Sequence, residues 1–153
     1  MGAVTTYLAL TLALGGGAGK PACQVLSIAD VAQAAGAAVT IDPSQSGPDG
    51  EGRDFCAWKT PDGHFVILGI EAKGSPGDAK AAYAATLVTA FGNGPAAQPI
   101  TGLGDEAQYR DYVGGLKGGV VVVRHGPVVL TVEGPMSRDK ITALTRLVLA
   151  RSI

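Results

Sequence analysis

The chain has 153 residues, 46% of them hydrophobic, enough to bury one substantial core and too few to divide into two. Twelve Lys and Arg against thirteen Asp and Glu leave a formal net charge of -1, and their scatter provides neither a basic stripe for nucleic acid nor an acidic, solvating tail. The twenty-three glycines lack collagen spacing and fall at turns, so they read as loop chemistry.

In chain order, the uncharged run "AVTTYLALTLAL" (3–14) is followed by "GGGAG", the order of an apolar signal-peptide core and the small residues a signal peptidase accepts. Residues 1–19 are therefore expected to be a secretion signal cleaved after Gly19, and residues 20–153 a single exported domain, secreted or periplasmic. The apolar run is shorter than the ~20 residues a membrane-spanning helix needs, so no permanent span is expected. No Lys or Arg precedes Tyr7, so the usual positive start of such a signal is missing. "GGGAGKP" fails as a phosphate-cradling loop, because Leu14 stands where that motif needs its first glycine and Pro21 where it needs Ser or Thr. Lys20, Pro21 and Ala22 before Cys23 argue against lipidation of that cysteine.

Ser27 with Asp30 three residues on forms a capping-box pattern, Leu26 and Val31 can staple it, and Gly36 ends the helix, which predicts a helix over 28–35. "AAVTID" is strand-like, and "PSQSGPDGEGRD" is a surface loop. "FCAWKT" and "HFVILGIEAK", joined by "PDG", predict a hairpin. In its second strand Phe65 and Ile67 fall on one face and Val66, Leu68 and Ile70 on the other, so that strand is expected to be covered on both sides. "SPGDAKAAYAATLVTAFGNG" reads as a helix starting near Pro76, with Tyr83, Leu87 and Phe91 at four-residue spacing and an alanine-rich side able to approach a sheet closely. "GLGDEAQYRDYV" leads into a second hairpin, "GGVVVVRHGPVVLTVEG", with "RHGP" at its tip. Ser137 caps a last helix, "RDKITALTRLVLAR", with Ile141, Leu144 and Val148 in one stripe and Asp139 and Arg151 complementing the dipole. The order α-β-β-β-α-β-β-β-α with short hairpins predicts an α+β fold, a mostly antiparallel sheet covered by helices.

The two cysteines, Cys23 and Cys56, most simply form one disulfide in an oxidising compartment. A metal site would need them to converge with His64 and His125 without the short Cys-Cys or His-His spacing of structural zinc sites. A catalytic thiol would need a base partner that sequence does not reveal. No metal or cofactor is expected.

"PACQVLSIADVAQAAGAAV", "FCAW", "GLGDEAQY", the valine-rich hairpin and the terminal helix together resemble a family of small exported proteins and lipoproteins of actinobacteria whose function is unassigned. The similarity spans residues 21–151 and implies a helix-flanked antiparallel sheet, related in shape to extracellular sensor domains of bacterial receptor kinases. It also implies that Cys23 and Cys56 occupy the family's paired-cysteine positions, and it carries no catalytic residues.

"GLGDEA" (102–107) matches the dinucleotide pattern G-x-G-x-x-A, but "AAQPIT" before it is no buried strand and "QYRDY" after it opens no long helix, so Gly102 and Gly104 are expected to shape a turn. Asp105 and Glu106 are adjacent and, in an extended segment, would point to opposite faces. Trp58 shares a strand face with Cys56 and either packs against the disulfide or walls a ligand pocket. Tyr109, Arg110 and Tyr112 are the residues best suited to ligand or partner contact, with cross-strand packing as the alternative. The expected function is a non-enzymatic exported module binding a hydrophobic small molecule or a cell-envelope partner through a concave sheet face or helix-sheet cleft. The alternatives are a small hydrolase using His64 or His125, and a structural or inhibitory envelope protein.

Overall fold

Ser27 begins the first long helix as its pattern predicts: its hydroxyl accepts from the Asp30 N–H at 3.1 Å while the Asp30 carboxylate accepts from the Ser27 N–H at 2.8 Å, two otherwise orphaned donors satisfied reciprocally. Gly36 closes that helix in the left-handed region at φ 70°, where a side chain would be strained. The computed structural model describes residues 19–92 and 96–152. The expected signal peptide, Gly19 apart, lies outside the described residues.

The elements are α1 (Ala22–Val25), α2 (Ile28–Ala35), β1 (Thr40–Ile41), a 3-10 turn (Pro43–Gln45), β2 (Gly47–Pro48), β3 (Arg53–Lys59), β4 (Phe65–Ala72), α3 (Pro76–Phe91), β5 (Gln98–Pro99), β6 (Glu106–Asp111), β7 (Gly119–His125), β8 (Val128–Gly134) and α4 (Arg138–Ser152). The protein is α+β, and every strand pairing described is antiparallel. Helix α1 and the two-residue strands β2 and β5 are additions to the expected order. All three are too short to leave a periodic signature.

Among the described residues, eight strands make one sheet in the order β1-β3-β4-β8-β7-β6-β5, with β2 also on β3. Hairpins β3–β4 and β7–β8 meet where β4 pairs β8, through Leu68↔Val132, Gly69↔Thr131 and Ile70↔Leu130. Each face is therefore built from alternate residues of both hairpins. On one face Trp58, Val66, Leu68, Val121, Val123, Leu130 and Val132 pack with Val25, Leu26, Val31, Ile141, Leu144 and Val148 from α1, α2 and α4. The other carries, among the described residues, α3 alone, docked by Ala79, Tyr83 and Phe91 onto Val120, Val122 and Val129 of β7 and β8.

Cys23 and Cys56 are bonded, Cα to Cα 4.9 Å, tying α1 to β3. The Ala22 N–H reinforces the tie by donating to the Asp54 carboxylate at 2.6 Å. At the far end of the same layer Arg151 donates to Asp30 at 2.6 Å, joining the last turn of α4 to the first turn of α2.

One expectation is corrected. Among the described residues, strand β4 is not covered on both sides: Val66 and Leu68 are fully buried under the helices, but Phe65 and Ile67 on the opposite face are only half-buried. The single helix on that face is seated over β7 and β8, because Tyr83 and Phe91 are the large side chains that anchor it there. Its alanine-rich side consequently faces across the uncovered half of the sheet.

Candidate functional site

The uncovered half-face and the side of α3 form a groove of about 540 Å3, within the ~300–1,000 Å3 usual for small-molecule sites. Its floor follows from strand register. Arg53, Glu71 and Val129 make one cross-strand row, Phe55, Gly69 and Thr131 the next, and Ile67, Glu133 and Val120 a third. Its wall is the small-residue stripe Ala82, Ala85, Thr86 and Thr89 of α3, spaced three and four apart and so on one helical face. Short side chains there leave the room that longer ones would fill.

Gly69 gives the floor its shape. A Cβ at this position would meet Thr131 Oγ1 at 2.5 Å and the Phe55 ring at 2.9 Å, so only glycine leaves room for the ring beside it. An isolated glycine inside a strand pattern marks such a close approach. The Phe55 ring in turn takes the Arg53 guanidinium at 5.8 Å from its centroid.

Charge is distributed unevenly along the groove. At the rim, Arg53 is held by Asp49 at 2.6 Å and Glu51 at 3.1 Å, and Lys73 by Glu71 at 2.5 Å, so both cations are matched. Glu133 is different. It is half-buried in the third row between Ile67 and Val120, and no hydrogen bond or ion pair reaches its carboxyl among the described residues. Loss of water around it raises its pKa above the usual carboxylate range, since burial disfavours the charged form. The Tyr112 phenol is pushed up too, first by burial and then by the nearby Glu133 charge.

The residues singled out in the sequence do not converge on this groove. Trp58 is fully buried with Cys56 on the helix-covered face, so it packs the core and offers no surface to a ligand. Tyr109 is buried on the same face, its hydroxyl donating to Asp111 at 2.6 Å under the Arg138 guanidinium. Burial first, and that hydrogen bond second, push its pKa up to about 12. Arg110, one residue on, points to the opposite face, where it is buried over the Phe91 ring at 5.8 Å with Nη1 unpaired among the described residues. Tyr112 packs half-buried beside the α3 contact. Strand alternation thus divides this aromatic and arginine cluster between two layers.

Asp105 and Glu106 behave otherwise than their adjacency predicts. Both reach Arg124, at 3.0 and 2.7 Å. Asp105 precedes β6, in the turn where Gly104 has φ 61°, so strand alternation does not govern it. Gly102 also has positive φ, 73°, in keeping with a turn rather than a dinucleotide loop.

The histidines lie on hairpin turns. His64 is 60% exposed with Nε2 3.6 Å from Asp62, whose carboxylate also accepts from the Thr60 hydroxyl. The acid stands between histidine and hydroxyl, so the histidine is not placed to take the hydroxyl's proton. His125 ends β7, with Nδ1 buried and unpaired among the described residues. Neither lines the groove. Among the described residues no three His, Cys, Asp or Glu side chains gather as a metal site, and no helix is long and apolar enough to cross a membrane.

Glu133 and Phe55 escaped the sequence reading, although signals were present. In "VVLTVEG" the alternate set Val129, Thr131, Glu133 grows polar along the strand, and Gly69 interrupts an otherwise apolar strand; each departs from a sealed face. No protein-family model matches the chain, and no curated protein matches it.

Proposed function

We propose that the protein is an exported, non-enzymatic module that binds a hydrophobic small molecule in the groove between α3 and the uncovered half of the sheet. The observation that carries this reading is the groove itself: about 540 Å3 floored by Phe55, Ile67 and Gly69 and walled by alanine and threonine. A concavity of this size, with an apolar floor and charged groups placed along it, is a usual form of a ligand site. The Cys23–Cys56 disulfide supports an oxidising, extracytoplasmic setting, in accord with the signal-like 1–19 segment and the resemblance to actinobacterial exported proteins. The hydrolase alternative drew on His64 and His125, and neither lines the groove.

The test uses the neutral apolar dye N-phenyl-1-naphthylamine, whose emission rises in a dry site. Ala85 is exposed and lines the groove, so Ala85→Trp places an indole at its wall and obstructs it without replacing a core residue. Dye binding is expected to fall at least about tenfold. Val88→Trp, on a residue 74% exposed and outside the lining, should leave it unchanged. Equal binding by wild type and Ala85→Trp, with unfolding midpoints intact, would remove the groove as the site.

A further inference from the structure

Glu133 shapes what the groove can hold. Its lining carries three carboxylates, Glu51, Glu71 and Glu133, against two cations, Arg53 and Lys73. Both cations are bound to acids at the rim, and Asp49 adds a further carboxylate to Arg53. Among the described residues, the one lining charge left without a counter-charge is therefore Glu133. It lies at the other end of the floor, two rows from these pairs: Ile67 and Glu71 on β4 are four residues apart, or about 13 Å at strand rise. Phe55, Gly69 and Thr131 separate the two ends. The nearest cation of the same sheet row, Arg110, lies beyond Val120, is engaged with Phe91, and is not part of the lining.

We propose that the groove selects an amphipathic ligand with a single ammonium head, the head pairing with the Glu133 carboxylate and the apolar body lying across Phe55 and Ile67 along α3. This rests on the groove being a small-molecule site. A half-buried carboxylate with no partner disfavours an anionic head by repulsion and gains a charge-assisted hydrogen bond from a cationic one. The raised pKa of Glu133 is the same fact seen from the unliganded side: the free protein supplies nothing to stabilise the ionised acid, and an ammonium does.

The experiment is calorimetric titration of the full chain at pH 7 with three probes of equal chain length, n-decylamine, n-decanol and sodium decanoate. Decylamine is expected to bind about tenfold tighter than decanol, and decanoate weakest of the three. Glu133→Gln should bring decylamine down to the level of decanol while leaving decanol within about twofold, with the unfolding midpoint of the variant confirming its fold. If decylamine and decanol bind alike, or the preference survives in Glu133→Gln, the head-group assignment is overturned while the groove remains a hydrophobic site. If no probe binds and none displaces the naphthylamine dye, the small-molecule reading falls as well.

Discussion

Replacing Cys23 and Cys56 together by alanine removes the disulfide cross-link between α1 and β3 without leaving a free thiol. The bond spans a sequence separation of 33, for which the chain-entropy relation gives about 12.5 cal/mol/K, or about 3.7 kcal/mol at 25 °C. With about 130 described residues at an unfolding entropy of about 2.1 cal/mol/K each, the melting temperature should fall by about 14 °C. The fold itself should survive. Ala22, Val25 and Leu26 stay buried against the sheet and the Ala22 N–H keeps its Asp54 acceptor, so the loss acts on the unfolded ensemble more than on native packing. Thermal unfolding followed by far-ultraviolet circular dichroism and by the fluorescence of Trp58, the sole tryptophan, should show one coincident transition in both proteins. A shift under about 4 °C, corresponding to about 1 kcal/mol, would refute the entropic account. Separate transitions for the two probes would show that α1 comes away by itself.

Other perturbations test the remaining assignments. Gly69→Ala puts a Cβ within 2.5 Å of Thr131 Oγ1 and 2.9 Å of Phe55; it should destabilise by about 1–3 kcal/mol in urea titration and weaken dye binding as the ring is forced into the groove. Ser27→Ala breaks the capping box and should cost about 1 kcal/mol. Arg151, followed by the hydroxyl and N–H of Ser27, holds the Asp30 carboxyl well below its usual range, so this ionisation contributes stability above the unfolded pKa of 3.8 that is lost as pH falls through the lower folded value. Arg151→Gln should therefore be less stable than wild type at pH 7, by a margin that narrows below pH 3.8. Glu133 has the opposite sign: burial raises its folded pKa, so the native state holds the proton more tightly and stability declines as pH rises from 4.5 through the folded value. Tyr112 is the other titrating group that feels it, and it stays neutral in that range. Glu133→Gln should be more stable than wild type at pH 7 and should lose that advantage below pH 4.5.

Wherever a signal was local, the sequence was legible. Ser27 with Asp30, Gly36, the "PDG" turn and the Ile141-Leu144-Val148 stripe each specify an element through neighbours a few residues away, and α2, the β3–β4 hairpin and α4 follow from them. The sequence by itself therefore determined the α+β class, the order of the main elements and the pairing of Cys23 with Cys56, that pairing because only two cysteines exist. Tertiary structure alone decided which faces are sealed. Alternation along β4 shows two apolar faces but cannot say that α3 covers β7 and β8 and stops there, because that position depends on Tyr83 and Phe91 docking against valines about 30 to 50 residues further along the chain. For the same reason Trp58 and Tyr109 disappeared into the core while Phe55 and Glu133, ordinary strand residues in the linear text, came to line an open groove. Periodicity reports the two sides of a strand; what covers each side is settled by contacts distant in sequence.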